Sequence, residues 1–279
     1  MTDELLRPFR DKLRGRSAAG REPSSVPIED EVPRDAILIR DLRVGPYPEA
    51  SPLHPGFVPG LPRVRLTIDL GARFRGDAPA FAAGEREALL RLCPRLLEHA
   101  CGGAGELARL LDRPQGRPKD QPAGDASDAR DGILVAHLIE HVAIEILVGV
   151  SGSGKCSGVT CAHRDRLDRF DIYIESADPM AGRACAILAV AVVRDLLLHM
   201  GADRLALHRR CRDLLAFLVS TSSTGVVAED AARHLACGSE EAMQTLEELV
   251  RLGYLAAVPS GYLFSSTSGV LFRRSAPSL

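Results

Sequence analysis

From Ile133 to Val148 the chain is apolar almost all the way round a helical wheel. Ile133, Leu134, Leu138, Ile139, Val142, Ala143, Ile144 and Ile146 cover most of the wheel. A helix of this kind has to sit inside a core, because a surface helix carries one apolar face and one polar one. His137, Glu140, His141 and Glu145 are the exceptions. Burying two imidazoles and a carboxylate costs on the order of several kcal/mol unless something pairs them, and a metal ion is one such partner.

The exceptions have a pattern. His137-Leu138-Ile139-Glu140-His141 reads H-x-x-E-H, the inverted zinc-peptidase motif. On a helix, positions 137 and 141 lie one turn apart on the same face, with Cβ atoms roughly 5–6 Å apart. Two imidazoles so placed reach one ion at about 2.0–2.1 Å each. Glu140 flanks that face and suits a general base acting on water. The expected metal ligands are therefore His137 and His141, and the expected catalytic residue is Glu140. A third ligand is required, and the candidates are Glu175, Glu145 and the pair Glu98 and His99. The structural alternative is a hydrogen-bonded cluster with no ion.

Two other patterns point elsewhere. Gly149 to Cys156 nearly spells the phosphate-binding loop G-x-x-x-x-G-K-[ST], but Cys156 stands where the magnesium-binding hydroxyl belongs. The segment also follows a helix, so a glycine-rich turn is the simpler reading. Cys156, Cys161 and His163 resemble half a zinc site with no second half.

Around the central helix, short strands and helices alternate. Ala36-Ile37-Leu38-Ile39 is strand-like, and the six prolines between Val44 and Pro62 exclude a long helix or a central strand there. Val64 to Leu70 alternates with period two, as a half-buried strand does. Phe81 to His99 has helical spacing, and Arg113 to Arg130 is Pro, Gly, Asp and Ser-rich, a long loop that is either a lid or disordered. Phe170 to Glu175 alternates again, and Asp178-Pro179 opens a helix running to about Met200. These elements predict an α+β fold, a metallopeptidase-like α/β domain over residues 35–203 behind a polar, proline-broken leader at 1–34.

Residues 204–279 have a different character. Helical stretches at His208–Ser220, Ala228–Ala236 and Ser239–Leu252 precede a hairpin of Tyr254–Val258 and Tyr262–Phe264. Three helices and a hairpin predict a small winged-helix domain. Its third helix carries Glu240, Glu241, Glu247 and Glu248 against a single Arg251, the wrong sign for a helix that enters a DNA groove. Ala242, Leu246 and Leu249 are assigned to the module's own core. Leu255, Val258, Tyr262, Leu263, Phe264, Val270, Leu271 and Phe272 are more apolar material than one hairpin buries. Self-association or docking of a protein partner is expected, and specific DNA binding is not.

The motif helix, Ala136 to Ile146, resembles a helix of the N-terminal domain of cyanophycin synthetases. Four further pieces follow in the family's order. They are Leu42-Arg43-Val44-Gly45-Pro46 (L-R-G-P with one residue inserted), Pro94 to Cys101 (P-x-L-x-E-H-x-C), Gly152-Ser153-Gly154-Lys155 (G-x-G-[RK]), and Asp171 to Glu175 with Ala181-Gly182-Arg183-Ala184. The resemblance spans about residues 36 to 200. It implies a metallopeptidase-like site that cuts an Asp-backbone polymer bearing Arg side chains, with His137, Glu140 and His141 as its motif and Glu175 as a partner. The ligase domains of those synthetases have no counterpart here, so hydrolysis is implied and polymerisation is not.

A net charge of −2 gives no sign of a general polyanion binder. The charged N-terminus holds no signal-peptide core, and the longest apolar run read, Ala184 to Val193, is about half of a membrane span. Seven cysteines without a C-x-x-C pair fit a reducing compartment. The sequence thus predicts a cytoplasmic hydrolase of peptide or isopeptide-like amide bonds, dependent on Zn2+ or another divalent metal. The competing readings are a catalytically silent regulatory protein that recruits a partner through the winged helix, and a DNA-binding regulator.

Overall fold

In the computed structural model two extended segments, β1 (Ile37–Gly45) and β2 (Arg63–Leu70), pair antiparallel, with a register shift between Ile39 and Asp41. The structure describes residues 33–76, 81, 83–98, 111, 125–221, 225–259 and 270–274, so all but the end of the expected leader lies outside the described residues. The proline-rich connection holds only a 3-10 turn at Pro48–Leu53. Next come α1 (Arg73–Gly76), α2 (Ala83–Leu92) and α3 (Asp125–Ser151). Beyond them are β3 (Gly158–Ala162), β4 (Arg169–Glu175), α4 (Pro179–Leu197) and α5 (Ala202–Ser220). The chain continues through β5 (Gly225–Val226), α6 (Ala228–Leu235), α7 (Ser239–Arg251), β6 (Leu255–Pro259) and β7 (Val270–Arg274). The main sheet has the order β1-β2-β4-β3 and every pairing in it is antiparallel, so the fold is α+β.

Several elements differ from the sequence reading. The helix expected to reach His99 ends at Leu92; Pro94 cannot donate to a further turn and disfavours helix at the residue before it. Helix α3 begins at Asp125, inside the loop expected over 113–130; residues 112–124 lie outside the described residues. Strand β3 was not foreseen. Helix α5 starts six residues before the expected His208.

Alternation sorts the sheet into two faces. Val64, Leu66, Ile68 and Leu70 of β2 and Phe170, Ile172 and Ile174 of β4 are buried in the main core with α3 and α4. The opposite face carries Arg63, Arg65, Thr67 and Asp69 beside Asp171, Tyr173 and Glu175. It is covered as well, which corrects the half-buried reading of β2. Fully buried Arg63 donates from Nη1 to Pro46 O at 2.5 Å and Tyr47 O at 3.2 Å, and its guanidinium lies 4.6 Å from the centre of the Phe57 ring. Asp69, also fully buried, accepts from Arg40 at 2.7 Å and from both Nε and Nη2 of Arg169.

Helix α3 is the centre of the molecule, packing against α1, α4, α5, β3 and β4. Its Gly132–Ser151 portion is the one helix among the described residues long and apolar enough to cross a membrane, yet 78% of that window is buried inside the protein. Helix α4 starts as expected, with Asp178 Oδ1 accepting from the Met180 and Ala181 amides. Gly182 lets it approach the sheet, since a Cβ there would stand 2.5 Å from Ser176 Cβ and 2.9 Å from Val64 Cγ2.

The helix expected to open a separate C-terminal module, α5, contributes Leu205, Cys211, Leu214, Leu215 and Leu218 to the same core, and residues 32–279 form one compact unit. A second sheet, β5-β7-β6, follows it. Tyr262 to Phe264, expected as a strand, lies outside the described residues, and β7 takes that place. Ala242, Leu246 and Leu249 are buried as expected, and so is Leu255. The acidic face of α7 is smaller than its sequence suggested. Glu248 is buried and bound by Arg251 at 2.5 Å, and Glu241 pairs with Arg210 at 3.1 Å while accepting the Gly238 amide.

Asp195 ties α4 to α5. It accepts from Arg194, from Arg204 at 3.0 Å and from fully buried His208 at 3.0 Å. Burial works to raise its carboxyl, but hydrogen bonds from His208 and Arg194 outweigh that and hold it well below the ordinary carboxylate range. A carboxyl so depressed contributes stability above its unfolded pKa of about 3.9 and loses it as pH falls further. Urea unfolding across a pH series should show wild-type stability falling below about pH 4, with a flatter acid limb and a lower neutral value in Asp195→Asn. Gly182→Ala should cost about 1–3 kcal/mol by the same measurement, because the added methyl overpacks the α4–β2 contact.

Candidate metal centre

The site sits where α3 passes over the edge strand β3. His137, Glu140 and His141 offer ligand atoms that all lie within 4.8 Å of one another, and they are the one group of three or more His, Cys, Asp or Glu among the described residues with that property. Helical spacing accounts for it: positions 137 and 141 are one turn apart, and their ring centres are 4.5 Å apart in an edge-on arrangement. Glu140 and His141 are buried and His137 is partly exposed, so the approach from solvent runs past His137.

Strand β3 holds the carboxylate. Thr160 Oγ1 donates to Glu140 Oε2 at 2.6 Å, and His137 Nδ1 lies 3.3 Å from the same oxygen. Nδ1 is thus turned to the carboxylate, and a neighbouring acceptor of this kind sets the orientation of a ligating imidazole. Gly158 makes room for the other oxygen, since a Cβ there would stand 3.0 Å from Glu140 Oε1 and 2.9 Å from Ile144 Cδ1. Two imidazoles and one carboxylate suit zinc or a similar divalent ion.

The proposed third ligands are not drawn into this group. Glu175 ends β4 on the face that carries Asp171 and Tyr173, away from α3, and its carboxylate accepts the Val58 amide. Glu145 continues the motif face by one turn, but it is buried beside the end of α2 and accepts the Arg95 amide at 3.0 Å. Glu98 is exposed, 3.6 Å from Arg95, and His99 lies outside the described residues.

The remaining candidates sort as follows. Cys156 donates to Glu175 O at 3.2 Å; burial, then the charges of Glu175 and Glu140, pushes its thiol up to about 12. Cys161 is likewise raised to about 12, by burial and then by Asp171 and Glu140. Both are protonated at neutral pH. His163 lies 3.3 Å from Asp171, which also accepts from Thr67 at 2.6 Å and Arg65 at 2.9 Å, so it belongs to the far face of the sheet. The glycine-rich segment links the end of α3 to β3 and opens no helix, unlike a phosphate-binding loop.

Thr160 and Gly158 escaped the sequence reading because residues 156–162 show no helical period. The signal available was the alternation of Val159 and Cys161 with Thr160, which a strand places on opposite faces. Compared with protein-family models, with curated proteins and with solved structures, the chain matches none. Removing the Thr160 hydroxyl leaves the buried Glu140 short of a donor. Thr160→Val should therefore destabilise the fold by about 1–3 kcal/mol, whereas Thr160→Ser should stay close to wild type; urea unfolding with both variants checks it.

Proposed function

We propose that this chain is a metal-dependent hydrolase of peptide or isopeptide-like amide bonds, with zinc or another divalent cation held by His137 and His141 and with Glu140 as general base. The observation that carries the reading is the convergence of His137, Glu140 and His141 within 4.8 Å on one turn of a buried helix. It agrees with the H-x-x-E-H order and with the resemblance to the N-terminal domain of cyanophycin synthetases.

A divalent cation bound there would polarise the amide carbonyl and acidify water. Glu140 then takes a proton from water as its oxygen bonds to the carbonyl carbon. As the C–N bond breaks, the same carboxyl returns that proton to the departing nitrogen. Thr160 keeps Oε2 in place through this exchange. His137 and His141 keep their relative placement because α3 is packed on several sides. Substrate enters past His137, the one partly exposed member of the group.

The C-terminal elements support a winged-helix reading of residues 204–279. Their order is α5, β5, α6, α7, β6, β7, and the small sheet runs β5-β7-β6. Its role in this reading is self-association or docking of a protein partner. Glu240 and Glu247 are exposed on α7, and Arg210 is engaged with Glu241, which disfavours a DNA-reading role.

Zinc-loaded protein assayed on a mixed panel of short peptides and isopeptides tests the reading. Glu140→Gln should keep its metal and lose about 10²- to 10⁴-fold in turnover, the usual contribution of a general base. Turnover equal to wild type in Glu140→Gln would overturn the assignment of the base. Turnover undiminished by a chelator would overturn the hydrolase reading itself.

A further inference from the structure

A pocket of about 240 Å³ opens beside the metal centre. Arg95, Ile144, Glu145, Val148 and the segment Gly154 to Ser157 line it. At roughly 30 Å³ per water it holds about eight waters, enough for one small substrate group. It adjoins the centre through shared packing. Ile144 forms part of its wall, and the Ile144 side chain and the Glu140 carboxylate both lie over Gly158, each about 3 Å from where its Cβ would stand. Helix α3 rises 1.5 Å per residue, so Glu145 stands about 6 Å along the axis from His141.

The wall is uneven in charge. Ile144 and Glu145 are buried, while Arg95, Gly154 and Lys155 are exposed. The Glu145 carboxylate is turned to the Arg95 amide. Among the described residues the Arg95 side chain has one ion pair, a 3.6 Å contact with exposed Glu98, and Lys155 makes none. The segment that presents Lys155 is braced at several points. Ser153 Oγ donates to Lys155 O at 3.0 Å, Ser157 Oγ donates to Gly56 O at 3.0 Å, and the Glu175 amide donates to Ser157 O at 2.9 Å. An ammonium carried on this braced backbone and a guanidinium, both at the rim of a pocket, favour an anionic guest.

We propose that this pocket is the substrate subsite for an anionic group, a carboxylate carried next to the amide bond to be cut, with Lys155 and Arg95 as its counter-charges. Its identity as a substrate subsite rests on the hydrolase reading above; its preference for a carboxylate does not. Both residues are specificity determinants and take no part in bond cleavage. An amide substrate lacking that carboxylate enters the centre without this anchor.

The test uses the full chain, 15N-labelled and freed of metal, titrated with N-acetylglycine and with uncharged N-acetylglycinamide. N-acetylglycine should shift the amides of residues 154–157 with at least tenfold higher affinity than N-acetylglycinamide, and added salt should weaken it. Lys155→Gln combined with Arg95→Gln should erase the difference, and Lys155→Arg should preserve it. Equal affinities, shifts confined to other surfaces, or a preference that survives the double substitution would each overturn the proposal. No metal takes part in this titration, so its failure leaves the His137–His141 centre standing, and failure of the centre to hold an ion leaves the titration's outcome unchanged.

Discussion

A helix that is apolar around most of its circumference is stable only when surrounded, and this requirement on α3 organises the rest of the protein. Its neighbours come from both ends of the chain. It packs against β3 and β4 of the sheet and against α1, α4 and α5. The N-terminal and C-terminal elements therefore share one core instead of forming two independent ones. The same requirement governs the polar residues on α3. A buried carboxylate has to be met by donors, and each glutamate of this helix is: Glu140 by Thr160, Glu145 by the Arg95 amide. Two glutamates five residues apart thus acquire separate roles from their neighbours.

The sheet solves a related problem on its far side. A proline-rich segment cannot supply many backbone donors, and it has to lie against a surface without forming a strand. Arg63 and Glu175, opposite one another in the β2–β4 register, perform that task by binding the Pro46 and Tyr47 carbonyls and the Val58 amide. This explains why a carboxylate at the end of a strand, attractive as a ligand by composition, belongs to the framework. One residue earlier or later in β4 would have turned it toward α3.

Much of this was legible in the sequence. The period of Val64–Leu70 and Phe170–Glu175, the Asp178-Pro179 helix start and the motif spacing are local signals, and local signals decided those elements. What was not legible depends on distant partners. The face on which Glu175 lies follows from period two, but which face meets the helix is set by packing. The inward turn of Glu248 depends on Arg251 and on α5. Strand β3 has five residues and gains its place by pairing with β4, so its sequence alone is a weak signal. The same holds for Thr160, whose importance comes from standing beneath Glu140.

Everything functional in the proposed reading depends on one point: that His137 and His141 of α3 hold an ion. Calorimetric titration of chelator-treated full-length protein with zinc measures it directly. One ion bound per chain, with binding abolished in the His137→Ala, His141→Ala double variant while that variant keeps the wild-type circular dichroism spectrum, is the predicted result. No saturable binding by the wild type, or equal binding by the folded double variant, would contradict it.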